Sequence, residues 1–311
     1  MAPRIFPSRA VDAEVRTTST AAHRACAVDS TAFAVDIAPC GARGRSRAVA
    51  CHHPGVDLAE RKPAVRDGTG CRHPWETERA RFFRVLIDRH MGGAVPRRTL
   101  DVGAGDGWFA GELPWAGAAG TEIVCWDVNY SRDELDADLG AGIVRTTDGP
   151  DGPFELVLLL DVIEHIDDDG GFLDAAVIPH LTPSSLVVVG VPAYQRLFTS
   201  HDEALAHHRR YSPERLADLL TPRLEIVSRG GLFASLLPVR AAAVLRERVA
   251  GPPDDHGVGD WSHGPAFTRV VRAALAADAR AGGWLADHGR PTPGLSTWAV
   301  CRPHGSGDAR G

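Results

Sequence analysis

Two short apolar segments constrain the fold of this chain more than any other feature of its sequence. They read FELVLLLDV at residues 154–162 and SSLVVVGVP at residues 184–192. A strand that is apolar on both faces is typical of a parallel sheet whose two sides are covered by helices. Segments of helical periodicity separate these strands from three further strand-like runs, RTLDVG, EIVCWDV and GIVRTT. The pattern therefore predicts an α/β fold built on a mainly parallel sheet.

The regular pattern occupies only part of the chain. Residues 1–70 show no sustained strand or helix period, so we expect either a flexible extension or a segment that precedes the true start of translation. Residues 71–303 form the predicted domain, which begins with an amphipathic helical segment at residues 73–91. A helical pattern at about residues 236–290 predicts an insertion before the last strand, and residues 304–311 are expected to be a disordered tail.

Composition excludes several classes of protein. With 44% hydrophobic and 24% charged residues, the chain has the composition of an ordinary soluble protein, and its net charge of −6 argues against a nucleic-acid partner. Pro238 and Arg240 interrupt the apolar segment at residues 231–245, so we expect a buried or interfacial helix there and no transmembrane segment. The six cysteines follow no disulfide or CxxC spacing, which indicates reduced thiols and a cytoplasmic location.

A glycine-rich loop, LDVGAGDG at residues 100–107, follows the first predicted strand. Its spacing is G-x-G-x-G, and Trp108 stands where a dinucleotide fingerprint needs its third glycine. Asp101, just before the loop, suits a cationic ligand better than a pyrophosphate because of its charge. Asp127 ends the next strand, where a carboxylate can accept the hydroxyl groups of a ribose. The loop and the two acids together predict a nucleoside site at the carboxyl ends of the strands.

With these motifs the sequence resembles the class I S-adenosylmethionine-dependent methyltransferases from about residue 75 to residue 303. Within that class it is most similar to the methyltransferases of types 11 and 12. LDVGAGDG is similar to the first motif of that family, WDVN to its ribose-binding strand end, and FELVLLLDVIEHIDD to its fourth strand and the following turn. SSLVVVGVP resembles the fifth strand, and GLSTWAVCRP resembles the last strand, which is antiparallel in this family. The resemblance implies a Rossmann-like seven-stranded mixed sheet, mostly parallel, with helices on both faces and a helical cap insertion.

The resemblance also implies S-adenosylmethionine as the cofactor and assigns residues to it. Gly103, Gly105 and Gly107 would let the backbone approach the methionine part of the cofactor. Asp101 would hold the amino group, and Asp127 would hold the ribose.

Further positions on the same edge of the sheet follow from the resemblance. Asp148, in RTTDGP, occupies the place where the family often has an acid that contacts the adenine. The backbone at Asp161 and Val162 would touch the cofactor. Glu164 and His165 would either face the acceptor pocket or brace the loop in which they lie.

A dense group of polar side chains follows the fifth strand. It is the segment HDEALAHHRRY at residues 201–211, here called the polar segment, and related members of the family have a similar one. Ser212 and Pro213 predict that a helix starts directly after it. His201 and His207 in this segment are candidate general bases, and His165 in the turn after the fourth strand is a third. It also offers candidate acceptor-binding side chains, namely Arg209, Arg210 and Tyr211.

Two other interpretations of the polar segment stay open. It is compatible with a solvated lid that has no role in chemistry. A metal site is disfavoured, because the segment has no cysteine and its histidines lack the HExxH order. The prediction from sequence is therefore that no metal is bound.

The motifs together predict a methyltransferase that acts on a small-molecule, glycan or lipid-linked acceptor. Oxygen is favoured as the methylated atom, because the histidines offer a base. One alternative is a non-catalytic adenosyl-binding or regulatory module. A nucleotide-dependent oxidoreductase is a second alternative, which the missing third glycine disfavours. The sequence does not predict the oligomeric state.

Overall fold

The computed structural model describes residues 72–252, 261 and 263–305. The expected flexible extension at residues 1–70 and most of the expected tail lie outside these residues. His304, which belongs to the expected tail, is described, and its Nε2 lies 3.1 Å from the carbonyl oxygen of Thr221. None of the helices in the described part of the chain combines the length and the apolar character needed to span a membrane.

A seven-stranded mixed sheet forms the centre of the described structure, which confirms the fold that the resemblance implies. Its strands lie in the order β3-β2-β1-β4-β5-β7-β6. Strands β1 to β5 pair in parallel, and β7 runs antiparallel to both β5 and β6. The strands are β1 (Arg98–Val102), β2 (Glu122–Trp126), β3 (Ile143–Thr146), β4 (Phe154–Leu160), β5 (Leu181–Pro192), β6 (Leu224–Leu232) and β7 (Ser296–Pro303).

The helices begin largely where the sequence signals predict. Ser131 caps its helix in a capping box with Glu134, and the Ser212 hydroxyl accepts a hydrogen bond from the backbone of Arg215. The helices are α1 (Pro74–Met91), α2 (Trp108–Glu112), α3 (Arg132–Asp136), α4 (Asp169–Phe172), α5 (Ser200–Ala204), α6 (Pro213–Leu220), α7 (Leu237–Ala250) and α8 (Pro265–Asp287).

The core lies on both faces of the sheet, which explains why residues 156–160 of β4 and residues 186–191 of β5 form continuous apolar runs. In β4, Val157 and Leu159 face one cluster, while Leu156 and Leu158 face the other. The first cluster includes Leu216 from α6, and the second includes residues of α1 and α8. Burial of each such side chain stabilises the fold by roughly 1.5–3 kcal/mol, so the central strands hold their position firmly.

One strand was not located from the sequence. The helical pattern expected from residue 231 onward is wrong at its start, because residues 224–232 form β6 and α7 begins only at Leu237. Residues 225–229 of β6 are only partly buried, so the strand lacks the continuous apolar run that marks β4 and β5. After β6 the chain turns sharply at Phe233, whose φ is 61°. Helices α7 and α8 then occupy the stretch between β6 and β7.

Candidate functional site

The motifs singled out in the sequence meet at one edge of the sheet. They lie at the carboxyl ends of β1, β2, β4 and β5, here called the rim, where ligands bind in open α/β sheets. A Cβ added at Gly103 would lie 3.0 Å from Val162 Cγ2, so the glycine loop packs against the turn that follows β4. The nucleoside site predicted after β1 and the acidic turn after β4 are therefore direct neighbours.

The glycine loop has a backbone that requires its glycines. Gly103, Gly105 and Gly107 have φ values of 61°, 55° and 73°, in the left-handed region that disfavours other residues. A Cβ at Gly107 would lie 2.6 Å from Leu139 Cδ1, whereas a Cβ at Gly105 would meet nothing within 4 Å. Gly105 thus presents an open stretch of backbone on the side where a ligand can approach.

Asp127 links this loop to the end of β2. Its side chain is 4% exposed, its Oδ2 accepts a hydrogen bond from the Gly105 N–H at 3.1 Å, and its Oδ1 accepts one from the Asn129 N–H at 2.9 Å. A carboxylate has about four lone-pair sites, so it can accept more than two donors. The arrangement suits two hydroxyl groups that approach side by side.

Asp101 is a second buried acid on the same rim. It is 4% exposed, and burial, together with the charges of Asp127 and Asp106, raises its pKa to about 7, against a lowering effect of Arg79. A carboxyl group with this pKa lies between its neutral and charged forms near neutral pH. A cationic group bound beside it would favour the charged form, which fits the expectation of a cationic ligand.

Arg79 is a rim residue that the sequence analysis missed. Its Nη2 lies 2.8 Å from Asp161 Oδ2, an ion pair that lacks the alignment of a hydrogen bond. The guanidinium also lies over the rings of Trp75 and Phe83, at 5.3 and 5.1 Å. The sequence signal for this position is an arginine that stands among aromatic residues in α1, a pattern that an ordinary amphipathic helix also shows.

Asp161 itself adopts an uncommon backbone conformation. Its φ is 59°, and its N–H donates to the Gly190 carbonyl oxygen at 2.8 Å. A left-handed residue other than glycine costs about 1–3 kcal/mol and persists only where the surroundings hold it, often at functional sites. The ion pair with Arg79 and the hydrogen bond to β5 provide that restraint at the residue expected to touch the cofactor.

Asp148 lies after β3, and its side chain is exposed. Its backbone N–H donates to Thr146 Oγ1 at 3.1 Å, and the preceding carbonyl, of Thr147, accepts from Trp126 Nε1 at 3.3 Å. The turn is thereby tied to the end of β2, beside Asp127. The adenine contact expected for Asp148 stays a prediction.

The polar segment is organised around Asp202, which is fully buried. Its carboxylate accepts hydrogen bonds from Arg210 Nε at 2.7 Å and from Arg240 Nη2 at 2.6 Å. The His207 Nδ1 lies 3.0 Å from the carboxylate, and the Thr199 N–H and Oγ1 donate to it at 2.9 and 3.3 Å. Burial favours the neutral acid, but the hydrogen bonds from His207 and Arg210 and the charge of Arg240 hold the pKa of Asp202 well below its usual range.

Arg209 and Tyr211 tie the polar segment to the turn after β4. Arg209 Nη1 donates to Asp169 Oδ2 at 2.9 Å, and its Nη2 donates to the Asp167 carbonyl oxygen at 2.7 Å. The Tyr211 hydroxyl lies 2.8 Å from Asp169 Oδ2 and 3.1 Å from the Ile163 carbonyl oxygen. These contacts fix two of the rim loops to each other.

The acceptor-binding role expected of these side chains stays a prediction, and the structure shows their contacts within the protein. Arg210 and Tyr211 are 6% and 0% exposed, and Arg209 is occupied by two aspartates. A buried charge must be paired, so a dense run of charges in the sequence can compensate itself inside the protein. Arg209, Arg210 and Tyr211 each make contacts that brace the rim.

The candidate bases lie close to this braced region. His201 is half-buried, and burial, followed by the charge of Arg240, lowers its pKa. The rings of His165 and His207 meet edge to face, with centroids 4.7 Å apart. Glu164, beside His165, is fully buried.

Glu164, His165 and His207 form a group that could hold a metal ion. One ligand atom from each lies within 4.8 Å of the corresponding atoms of the other two. The sequence predicts no metal, because the polar segment has no cysteine and its histidines lack the HExxH order. Glu164 and His165 belong to a separate segment of the chain. Only the folded rim brings them together.

Most of the rim lies in a region that matches a known family of protein domains. A family model described as a methyltransferase domain matches residues 75–223. This range includes the glycine loop, the turn after β4 and the polar segment, and it ends before β6, α7 and α8.

Several solved structures are similar over most of the chain. N-methyltransferase NodS from Bradyrhizobium japonicum WM9, in complex with S-adenosyl-L-homocysteine, has 13% identity over 75% of this chain and 89% of its own, with a TM-score of 0.42. The cyclase SpnF has 17% identity over 77% and 84%, with a TM-score of 0.45. Plantazolicin methyltransferase BpumL has 13% identity over 74% and 84%, with a TM-score of 0.42. No curated protein matches the sequence at a significant level.

Proposed function

We propose that this chain, whose residues 75–223 match the model of a methyltransferase domain family, is an S-adenosylmethionine-dependent methyltransferase. The observation that carries the proposal is the arrangement of Asp127, Asp101 and Gly105 on one rim. It combines a buried carboxylate held by the backbone of the glycine loop, a second buried acid suited to a cation, and an open glycine backbone. A dinucleotide site would place a third glycine where Trp108 stands.

The residues present fit this cofactor. Asp127 would accept the ribose hydroxyls, and Asp101 would hold the amino group of the methionine part. Gly105 would let the backbone lie against the ligand, and Asp161 and Val162 would line the site from β4. When bound, S-adenosylmethionine supplies a methyl group that is already activated for displacement, so the main task of the protein is to align the acceptor.

We further propose that the acceptor is a small molecule or a glycan- or lipid-linked molecule, methylated at oxygen. A hydroxyl acceptor needs a base, and the rim offers imidazoles. His207 is the best oriented of them, because Asp202 holds its Nδ1 and leaves Nε2 available. His201 supports the same role, since burial and the charge of Arg240 lower its pKa and so favour the neutral ring that a base needs.

The cytoplasm is the proposed location. The sequence has no disulfide spacing, and the two cysteines in the described part of the chain, Cys125 and Cys301, are buried free thiols.

Calorimetric titration and a methyl-transfer assay test this function. We expect the full chain to bind S-adenosylmethionine and S-adenosylhomocysteine, with no measurable binding of NAD or NADP at the same concentrations. The protein is then incubated with S-adenosylmethionine labelled in its methyl group and with pools of hydroxyl-containing small molecules and glycolipids. We expect the label to appear in one class of acceptor. Tighter binding of a dinucleotide would contradict the proposal, and donor binding without any labelled product would favour an adenosyl-binding module.

A further inference from the structure

We propose that Glu164, His165 and His207 form a binding site for a first-row transition-metal dication, with Zn²⁺ as the representative ion. Two imidazoles and one carboxylate are a recurrent ligand set for such ions, which leaves coordination positions open for a further ligand. The site lies where the turn after β4 meets the polar segment. Metal binding at this place stands independently of the proposed function.

The distances are within reach of closure around an ion. The three candidate ligand atoms lie within 4.8 Å of one another. Ligand atoms that each lie about 2.1 Å from zinc are about 3–3.5 Å apart. Side-chain rotations that move the ligand atoms by about 1 Å would therefore bring the three within coordination distance of one ion. The planes of the His165 and His207 rings stand at 81° to each other. The rings are therefore not stacked face to face, and a nitrogen from each can point toward one ion.

His207 has the supporting contact expected of a metal ligand. Histidine ligands usually give their second ring nitrogen to a carboxylate, which fixes the ring and its tautomer. His207 Nδ1 lies 3.0 Å from Asp202 Oδ1, so Nε2 is the nitrogen left for an ion. Arg210 and Arg240 hold Asp202 in turn, at 2.7 and 2.6 Å. The fold therefore orients this imidazole before any ion arrives.

The three candidate ligands differ in burial, with the carboxylate inside and the two imidazoles nearer to solvent. Glu164 is fully buried, and a buried carboxylate gains from a nearby positive charge. His165 and the His207 side chain retain partial exposure, 9% for the latter, which leaves an approach from solvent.

A role in methyl transfer follows only if the proposed function holds. An ion on this rim would attract an oxygen or nitrogen lone pair of the acceptor and lower the pKa of a hydroxyl there. His165 and His207 would then act as ligands, and His201 would remain as the imidazole available for proton transfer. The site would favour acceptors that can bind a metal.

Metal titration of the full chain tests the site. The protein is freed of metal with a chelator, which is then removed, and is titrated with Co²⁺ by absorption spectroscopy and with Zn²⁺ by calorimetry. We expect one equivalent of each ion to bind. His165→Gln and His207→Gln should each weaken binding at least tenfold. The matched control is His208→Gln, since His208 is adjacent to His207 but lies outside the ligand group and its Nδ1 is 3.9 Å from Asp167; it should bind as the wild type does.

Two results would overturn the metal site. One is the absence of stoichiometric Co²⁺ and Zn²⁺ binding by the wild type at about millimolar metal; the other is unchanged binding by both histidine variants. If His207→Gln fails to fold because Asp202 loses a donor, His165→Gln decides the question alone. Parallel titration with S-adenosylmethionine separates the two proposals, because donor binding without metal binding rejects only this site, and the reverse rejects only the proposed function.

Discussion

At the scale of single residues, the rim depends on acids that the fold removes from water. Asp101 and Asp127 are each 4% exposed and lie close enough for the charge of one to raise the pKa of the other. Asp127 is held by two backbone N–H donors, whereas Asp101 has its pKa raised to about 7. One acid is thus fixed as a hydrogen-bond acceptor, and the other is free to change its charge near neutral pH.

The raised pKa of Asp101 predicts a pH dependence of stability. Because the folded pKa of about 7 lies above the ordinary value of 3.8, folding favours the protonated acid. This contribution to the free energy of unfolding is full below about pH 4 and is lost as the pH rises through about 7. Urea denaturation of the wild type and of Asp101→Asn from pH 5 to pH 8 measures it. We expect the stability of the variant relative to the wild type to rise with pH, and parallel curves would contradict the assignment.

At the scale of elements, a glycine can be needed for its backbone conformation or for the space it leaves for a ligand, and the glycine loop allows the two to be tested separately. Gly105 and Gly93 both have a positive φ, 55° and 77°, and a Cβ on either would meet nothing within 4 Å. Gly93 lies just after α1, away from the loop. The two positions therefore share a conformational cost and differ in location.

This pair predicts two different outcomes for one substitution. Gly105→Ala and Gly93→Ala should each lower the free energy of unfolding by about 1–2 kcal/mol, the cost of a left-handed alanine. Only Gly105→Ala should also weaken S-adenosylmethionine binding, by at least tenfold, because its methyl group projects into the proposed site. Chemical denaturation and calorimetry measure the two effects. Equal donor affinity in the two variants would place the ligand away from Gly105.

Elements also show what sequence patterns can and cannot predict. The apolar strands β4 and β5 and the capped starts of α3 and α6 were all visible, since each has a local signal. Strand β6 was not, because its middle is only partly buried and its pattern resembles a polar connection. Local signals thus predict the elements that form the core and miss one at the edge of the sheet.

At the scale of the whole molecule, the topology brings distant segments to one rim. The parallel strands place the loop after β1, the acid after β2 and the turn after β4 side by side, as the sequence pattern predicts. The partnership of His207 with Asp202 and its proximity to Glu164 and His165 depend on how the polar segment folds back onto that turn. No spacing in the sequence encodes this approach, so the bracing roles of Arg210 and Tyr211 could not be predicted.

Calorimetric titration of S-adenosylmethionine into the wild type and Asp127→Ala tests the donor site most directly. Loss of the charge-assisted hydrogen bonds should weaken binding by about 2 kcal/mol, or roughly thirtyfold. The control is Asp133→Ala, since Asp133 is an exposed acid in α3, and it should bind the donor as the wild type does. A folded Asp127→Ala protein that binds S-adenosylmethionine as tightly as the wild type would contradict the assignment of this rim as the donor site.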